Sequence, residues 1–535
     1  MAPTASRRAP TAAEEIEAVL ARHPAVRRAK VVGTAPGLIA YVEVAAGLSG
    51  GAAAAAHLER WRALWSDTYG RAPAAGAPQQ PELAGWISSY TGRPIAAGEM
   101  REWVERTTER IAALAPRHLL EIGCGTGLLL TRLAPRCAAY WATDFSAAAL
   151  DRVGRALAGM DLPVELLRRA ADDFDGLPVG RFDTVVLNSV VQYFPDLSYL
   201  RRVLAGVLAV AAPGARVFLG DLRSLPLLAT FHASVLLRQA EGATPLAEIR
   251  RQLERRVARE GELLVAPAFF AALQRAEPRI AAVEVQLKRG RARNELTRFR
   301  YDVVLTLGGA VSRGTGQGSG AGASAGVGDG DAGGGAPERW LSWRREGLTP
   351  AALRRLLAAA SPGSLGVGGV PNARLSAEVE ALALLGGSEP ALETVADLQG
   401  ELRLRAAAAA ALGAAGAPIE PEALWALEGD LPYRVEIDWG RSALDTFDAV
   451  LRRQGTVSPA AGDAAGGEDD PVRLEERSPV QYANQPSRGP AAELLEAELR
   501  RLLAEHLPAV VPPASFVWVD CIDDAAGGDR PAAAG

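Results

Sequence analysis

The chain has 535 residues, 48% of them apolar and 23% charged, with a net charge of −5; at this length about two to four domains are expected, and the charge leaves no basic footprint for nucleic acid as the main ligand. The three cysteines, Cys124, Cys137 and Cys521, stand too far apart for a disulfide framework or a zinc-ligand spacing. The N-terminus lacks an apolar core of signal-peptide length and no run of about 18 apolar residues occurs, so a soluble, cytoplasmic protein with no membrane partner is expected.

Residues 13 to 22, AEEIEAVLAR, carry Ile16, Val19 and Leu20 at the spacing of one helix face, and His23-Pro24 ends that helix. Two short strands follow, Ala29 to Val32 and Leu38 to Val44. A helix and a hairpin bury too little to stand alone, so a partner segment elsewhere in the chain is required. Trp61 to Tyr69 and Trp86 to Gly92, both rich in aromatics, introduce a helical region ahead of the first strand of the main sheet. These rings are core residues by default, and a lid over a bound ligand is the alternative.

His118 to Gly127, HLLEIGCGTG, is the stretch around which the rest is organised. Leu119, Leu120 and Ile122 read as a buried strand, and a helical run begins at Leu128, so Gly123, Gly125 and Gly127 fall in a strand-to-helix turn. Glycine lets a ligand approach the backbone, and the N–H groups at the helix start face it. The spacing is G-x-G-x-G, one residue short of the dinucleotide fingerprint, and Glu121 stands two residues ahead. A carboxylate there repels a pyrophosphate but suits a ligand bearing an ammonium group, which favours S-adenosylmethionine over NAD.

The next strands follow in order. Ala138 to Phe145 ends at Asp144, the distance at which an acid takes two ribose hydroxyls. Val164 to Leu167 leads to Ala171-Asp172-Asp173-Phe174, and Phe182 to Leu187 leads to Asn188-Ser189-Val190-Val191-Gln192-Tyr193-Phe194. That last segment lies at a strand's carboxyl end, where open α/β sheets place their chemistry. Arg216 to Gly220 is a fifth strand, a charged helix covers about 244 to 260, and Val283 to Leu287 and Phe299 to Leu307 flank a polar connection. Residues 308–337 are nearly all Gly, Ala, Ser and Asp and read as a flexible linker. Beyond it Trp340 to Ala360 is read as helix, residues 369–375 as a loop, 376–414 as further helices and Leu431 to Trp439 as a strand. A second linker covers 454–479, and Ala492 to His506 is a periodic helix before a strand at Phe516 to Val519.

EIGCGTG resembles the first motif of class I S-adenosylmethionine-dependent methyltransferases. The resemblance implies a Rossmann-like α/β sheet ending in an antiparallel hairpin, with S-adenosyl-L-methionine as cofactor. Glu121, Gly123, Gly125, Gly127, Asp144 and Asn188 would bind it, with Asp144 on the ribose and Asp172 or Asp173 receiving the adenine amino group. Taken with GWISSYTG, NSVVQYF, GDLRSLPLL, KRGRARNELTRFRYDVVL, GVPNARL and YANQP, the likeness is more specific. It is to the N-methyltransferase unit embedded in adenylation domains of nonribosomal peptide synthetases.

EIEAVL, HPAV and the LIAYV-type strand, together with LPAVVP and FVWV near the other end, resemble the small α+β C-terminal subdomain of those adenylation domains. The implied organisation is a first half of a truncated subdomain at 1–48, a methyltransferase domain with added helical segments at 58–307, an associated extension at 338–453, and the second half of the subdomain at 480–535. Where the family carries an asparagine-glycine-lysine motif this sequence has Asp523 to Arg530, and no lysine follows Lys288, so adenylation by this chain alone is not expected. The implied reaction is methylation of the α-amine of an aminoacyl thioester on a phosphopantetheinyl carrier protein, with other synthetase modules as further partners. Tyr193, His232 and Glu295 are the candidates for orienting or deprotonating that amine, and Asn294 for accepting its hydrogen bond. O- or C-methylation of a polyketide or peptide intermediate, and a non-catalytic docking remnant, are the rival readings.

Overall fold

The structure is a computed structural model that describes residues 11–34, 37–44, 51–70, 86–309, 337–387, 392–411, 416–439, 443–455, 482–486, 488–508, 510–513 and 515–519. Almost all of both linkers, and the segment Asp523 to Arg530, lie outside the described residues. The chain divides into two compact units.

The smaller unit joins the two chain ends. The helix Ala12–Leu20 starts with a capping box, in which Thr11 accepts the Glu14 N–H and the Glu14 carboxylate accepts the Thr11 N–H. Strands β1 (Val26–Thr34) and β2 (Gly37–Val44) pair antiparallel, and the last strand of the chain, β14 (Ser515–Val519), pairs parallel with β2. Ile16, Val19 and Leu20 pack with Val31, Ala40 and Val42, and against Leu495, Leu499 and Leu503 of the helix Arg488–His506. Each fully buried side chain of this kind stabilises by about 1.5–3 kcal/mol, so neither half has a core without the other.

The larger unit contains two sheets. The first comprises β3 (His118–Ile122), β4 (Ala139–Asp144), β5 (Val164–Arg168), β6 (Phe182–Asn188), β7 (Ala211–Arg223), β8 (Ile280–Leu287) and β9 (Arg300–Leu307). Their spatial order is β5-β4-β3-β6-β7-β9-β8. The first five strands run parallel, and β9 pairs antiparallel with both β7 and β8. This is a Rossmann-like sheet closed by an antiparallel hairpin, the architecture that the sequence resemblance implies. Central strands such as β6 and β9 are buried on both faces, which is why they read as continuous apolar runs. The chain starts at β3, winds outward to β5, then returns to the other side at β6; the reversal opens a crevice at the carboxyl ends of β3 and β6.

The second sheet is ordered β10-β11-β13-β12, from β10 (Trp340–Ser342), β11 (Ser364–Pro371), β12 (Tyr433–Trp439) and β13 (Thr446–Arg453). Tyr433, Val435 and Ile437 alternate inward against Trp343, Leu353, Val367 and Phe447, and Leu287 of β8 joins the same core. Two expectations are corrected here. Trp340 to Ser342 is strand, and helix begins only at Pro350; Gly369 to Pro371 finishes β11 instead of lying in a loop. Both misreadings have one cause. Trp340 lies across β11 so closely that a Cβ at Gly366 would stand 2.5 Å from its ring, and the glycines that permit this contact hide the strand pattern. β13 was not anticipated. Among the described residues no helix is long and apolar enough to cross a membrane.

Candidate functional site

The turn after β3 has the backbone that its glycines allow. Gly123, Gly125 and Gly127 all have positive φ, at 78°, 52° and 82°. The N–H groups of Gly123 and Cys124 donate to the Thr143 carbonyl, tying the turn to β4. A Cβ on Gly123 would stand 2.5 Å from a Val190 methyl, so the turn also packs against the segment that leaves β6. Asp144, at the end of β4, is 6% exposed, with one carboxylate oxygen accepting the Gly125 N–H at 2.9 Å and the other the Ser146 N–H at 2.8 Å. Burial raises its pKa, against those two bonds. Glu121 is 3% exposed and accepts the Tyr140 hydroxyl at 2.7 Å. Burial pushes this carboxyl up to about 7, with the Tyr140 bond opposing and the nearby Asp144 charge adding to the rise. Two buried carboxyls, one accepting a tyrosine hydroxyl and the other two backbone N–H groups, set beside a glycine turn, fit a ligand with both a cationic and a hydroxylated part.

Tyr69, from the helix Gly51–Gly70, lies against this turn, with its hydroxyl 3.2 Å from where a Cβ on Gly125 would stand. Its ring stacks on Trp65 at 5.2 Å, and Trp65 meets Tyr193 edge-on at 5.4 Å. Burial, and next the charge of Asp144, push the Tyr69 hydroxyl above its usual range. The residues after β3, β4 and β6 thus meet at one crevice, with Val190 against the glycine turn and Tyr193 joined to Tyr69 through Trp65.

The other candidates make local contacts of their own. Asp172 accepts the Tyr199 hydroxyl at 2.7 Å, and Asp173 pairs with Arg169 at 3.1 Å while accepting the Asp175 N–H. His232 lies in the helix Leu228–Gln239 with its ring against Phe231. Glu295 is 5% exposed and anchors the 86–92 segment, accepting the Ser89 N–H at 2.7 Å and the Ser88 hydroxyl at 3.4 Å. Asn294 caps the short helix Glu295–Arg298: its side-chain oxygen accepts the N–H groups of Leu296 and Thr297, which corrects the expectation that it serves an amine.

Sequence reasoning missed Asp221. It sits in a β-bulge of β7, where pairing with β9 shifts between Leu219 and Leu222, and its φ is 63°. Fully buried, its carboxylate accepts from Ser189, Trp103 and Arg300, with Lys288 Nζ 3.8 Å away. Its own N–H donates to Asp302, which is also bonded to Lys288 and Arg110. Burial alone would raise the Asp302 carboxyl, but Lys288 and Arg110 outweigh it and hold it below its usual range. The Ser189 hydroxyl takes an N–H from Asn188, so this charged network fixes the residue that ends β6. The only signal in the sequence was an acid just past the fifth strand, in Gly220-Asp221-Leu222.

Comparison with known proteins places these observations in a family setting. Residues 120–217 match the family model described as a methyltransferase domain. Chondramide synthase from Chondromyces crocatus is 40% identical over 531 residues, covering 94% of this chain. A probable non-canonical nonribosomal peptide synthetase from Salinispora arenicola is 43% identical over 302 residues, covering 55% of this chain. The chain spans only 12% and 4% of the length of these two relatives. Among solved structures, the N-methyltransferase NodS from Bradyrhizobium japonicum with S-adenosyl-L-homocysteine superposes with a TM-score of 0.27 at 17% identity, over 41% of this chain and 98% of that one.

Proposed function

We propose that this chain, an S-adenosylmethionine-dependent methyltransferase unit of the kind built into nonribosomal peptide synthetases, moves a methyl group to the α-amine of an aminoacyl thioester on a phosphopantetheinyl carrier protein. The observation that carries this reading is the reach of the synthetase likeness. It extends over 94% of the chain, through the second sheet as well as the methyltransferase sheet, so the acceptor is read as an assembly-line intermediate.

The cofactor supplies an activated methyl on a sulfonium. Gly123, Gly125 and Gly127 would hold its methionine end, with Glu121 facing the ammonium, Asp144 the ribose hydroxyls and Asp172 or Asp173 the adenine amino group. The chain's residues then need to align the acceptor and exclude water, an effect worth roughly 7–11 kcal/mol in well-oriented systems. An α-amine has a pKa of about 7.7–8.0 in peptides, so a weak base or a hydrogen-bond acceptor suffices to present its lone pair. Asn188, bonded to Ser189 and through it to Asp221, and Tyr193 would stand beside the transfer. Tyr193, His232 and Glu295 are the candidates for orienting or deprotonating the amine. Glu295 has the weakest claim, since its two oxygens already hold Ser88 and Ser89.

The test is incubation with S-adenosylmethionine and aminoacyl-loaded carrier protein, read by intact mass and by fragmentation that locates the added methyl. A methyl on oxygen or carbon, or no transfer to any loaded carrier, would refute the proposal. Alanine substitution at Tyr193, His232 and Glu295 should give at least one variant with turnover lowered about 100-fold or more and cofactor affinity unchanged. If all three turn over normally, the acceptor site lies elsewhere.

A further inference from the structure

Three aromatic rings run in series across the crevice. Tyr69 lies on the turn after β3, Trp65 stacks on Tyr69 with an interplanar angle of 27°, and Tyr193, in the turn after β6, meets Trp65 at 68°. None is closed into a core: all three are half-buried, so each keeps ring surface accessible. The series therefore joins the end of β3 to the end of β6, the two strand ends between which the reacting sulfur must lie if the methionine part rests on the glycine turn and the acceptor lies beside Asn188.

The charge of that sulfur changes during the reaction. It is a cation before transfer and a neutral thioether afterwards, while the rest of the molecule is unaltered. Ring faces of Trp and Tyr attract a cation by about 0.5–2 kcal/mol, the larger value where water is excluded, whereas a neutral thioether, which meets rings mainly at their edges, lacks this charge-dependent attraction to the face. We infer that Trp65, Tyr69 and Tyr193 form a charge-selective wall, which holds the sulfonium form of the cofactor more tightly than its demethylated product. The wall thus favours entry of the donor and exit of the spent molecule. The inference rests on S-adenosylmethionine being the methyl donor and is independent of which acceptor is methylated.

Calorimetric titration of the full chain with three probes tests it: S-adenosylmethionine, S-adenosylhomocysteine, and sinefungin, whose protonated amine replaces the sulfonium charge. The wild type should bind the two cationic probes more tightly than S-adenosylhomocysteine. In Trp65→Leu both cationic probes should weaken roughly tenfold and S-adenosylhomocysteine less than about twofold, so the neutral probe doubles as a check of folding. Trp65→Phe, which keeps a ring, should retain most of the gap. Equal weakening of all three probes in Trp65→Leu and Trp65→Phe would show contact without charge selection and overturn the inference. Unchanged affinities in both variants would remove the wall from the site. A wild type that binds none of the probes would instead refute the cofactor assignment itself.

Discussion

The Ser189 hydroxyl donates to the Asp221 carboxylate over 2.9 Å, and both residues hold left-handed backbone conformations, with φ of 57° and 63°. Such conformations are uncommon for residues other than glycine and persist where surrounding bonds over-determine them. Here the bonds are those that Asp221 and Asp302 make with Trp103, Arg300, Lys288 and Arg110. Asp221→Asn should therefore cost about 3–5 kcal/mol in denaturant unfolding, because the carboxylate charge that faces the part-buried Arg300 guanidinium and the Trp103 and Ser189 donors is lost from a fully buried position. Asp302→Asn should behave alike, and the double variant should cost less than the two single losses added. A loss under about 1 kcal/mol in each single variant would mean the network is not what holds the strand ends.

Asp144→Ala should weaken S-adenosylmethionine binding by roughly 10- to 100-fold, the loss of a charge-assisted hydrogen bond of about 1.5–3 kcal/mol. It should leave the protein folded, since the Gly125 and Ser146 N–H groups can turn to water. Gly125→Val should abolish binding through the strained φ and the side chain's occupation of the crevice. Wild-type affinity in either variant would rule out the site.

The Glu121 carboxyl gives a pH dependence of defined sign. Its pKa is about 7 in the folded protein against an ordinary 4.5, so the folded form keeps the proton that the unfolded chain loses. Stability should fall as pH rises through the interval between those two values, by on the order of 3 kcal/mol, and Glu121 should cause no further loss above it. Cofactor affinity should move the other way. An ammonium partner favours the ionised carboxylate, so binding should be up to roughly tenfold weaker at about pH 6 than at about pH 8. Glu121→Gln should flatten both profiles, and an unchanged profile in that variant would assign the titration to another group.

Arg374 is 2% exposed and donates to the carbonyls of Lys288, Gly290 and Thr297, with Glu420 as its ion-pair partner. Arg374→Ala strands three acceptors at once. Trypsin should then cut within residues 288–298 at least about tenfold faster than in the wild type, because local opening there costs less. An unchanged cutting rate would show that the connection between β8 and β9 is held by other contacts.

The central strands of the methyltransferase sheet were legible because β3, β4 and β6 carry buried apolar runs that end in a glycine turn or a polar residue, a pattern set by local sequence. Glu121, Asp144 and the glycines could be picked out for the same reason. Asp221 could not, since its importance comes from a bulge and from cations supplied by β8 and β9. Asn294 and Glu295 stand out in the sequence, but their contacts do not. They look available in a polar connection, yet Glu295 is used by Ser88 and Ser89, some 200 positions away, and Asn294 by its own helix start. The hairpin β12–β13 was half legible: alternation of buried and exposed residues marks β12, whereas in β13 the polar Arg452 and Arg453 close the run and Asp448 interrupts it.

The parallel pairing of β14 with β2 also sets an order of events in time. Val44 and Ser515 lie 471 positions apart, so at about 5–20 residues per second a ribosome delivers the second strand roughly 25 to 95 s after the first. Throughout that interval the β1–β2 hairpin has an open edge and lacks the helix that covers its apolar face. The smaller unit is thus finished only after the methyltransferase sheet has been synthesised, and until then its waiting half is a natural target for chaperones, for proteases, or for the same half of another nascent chain.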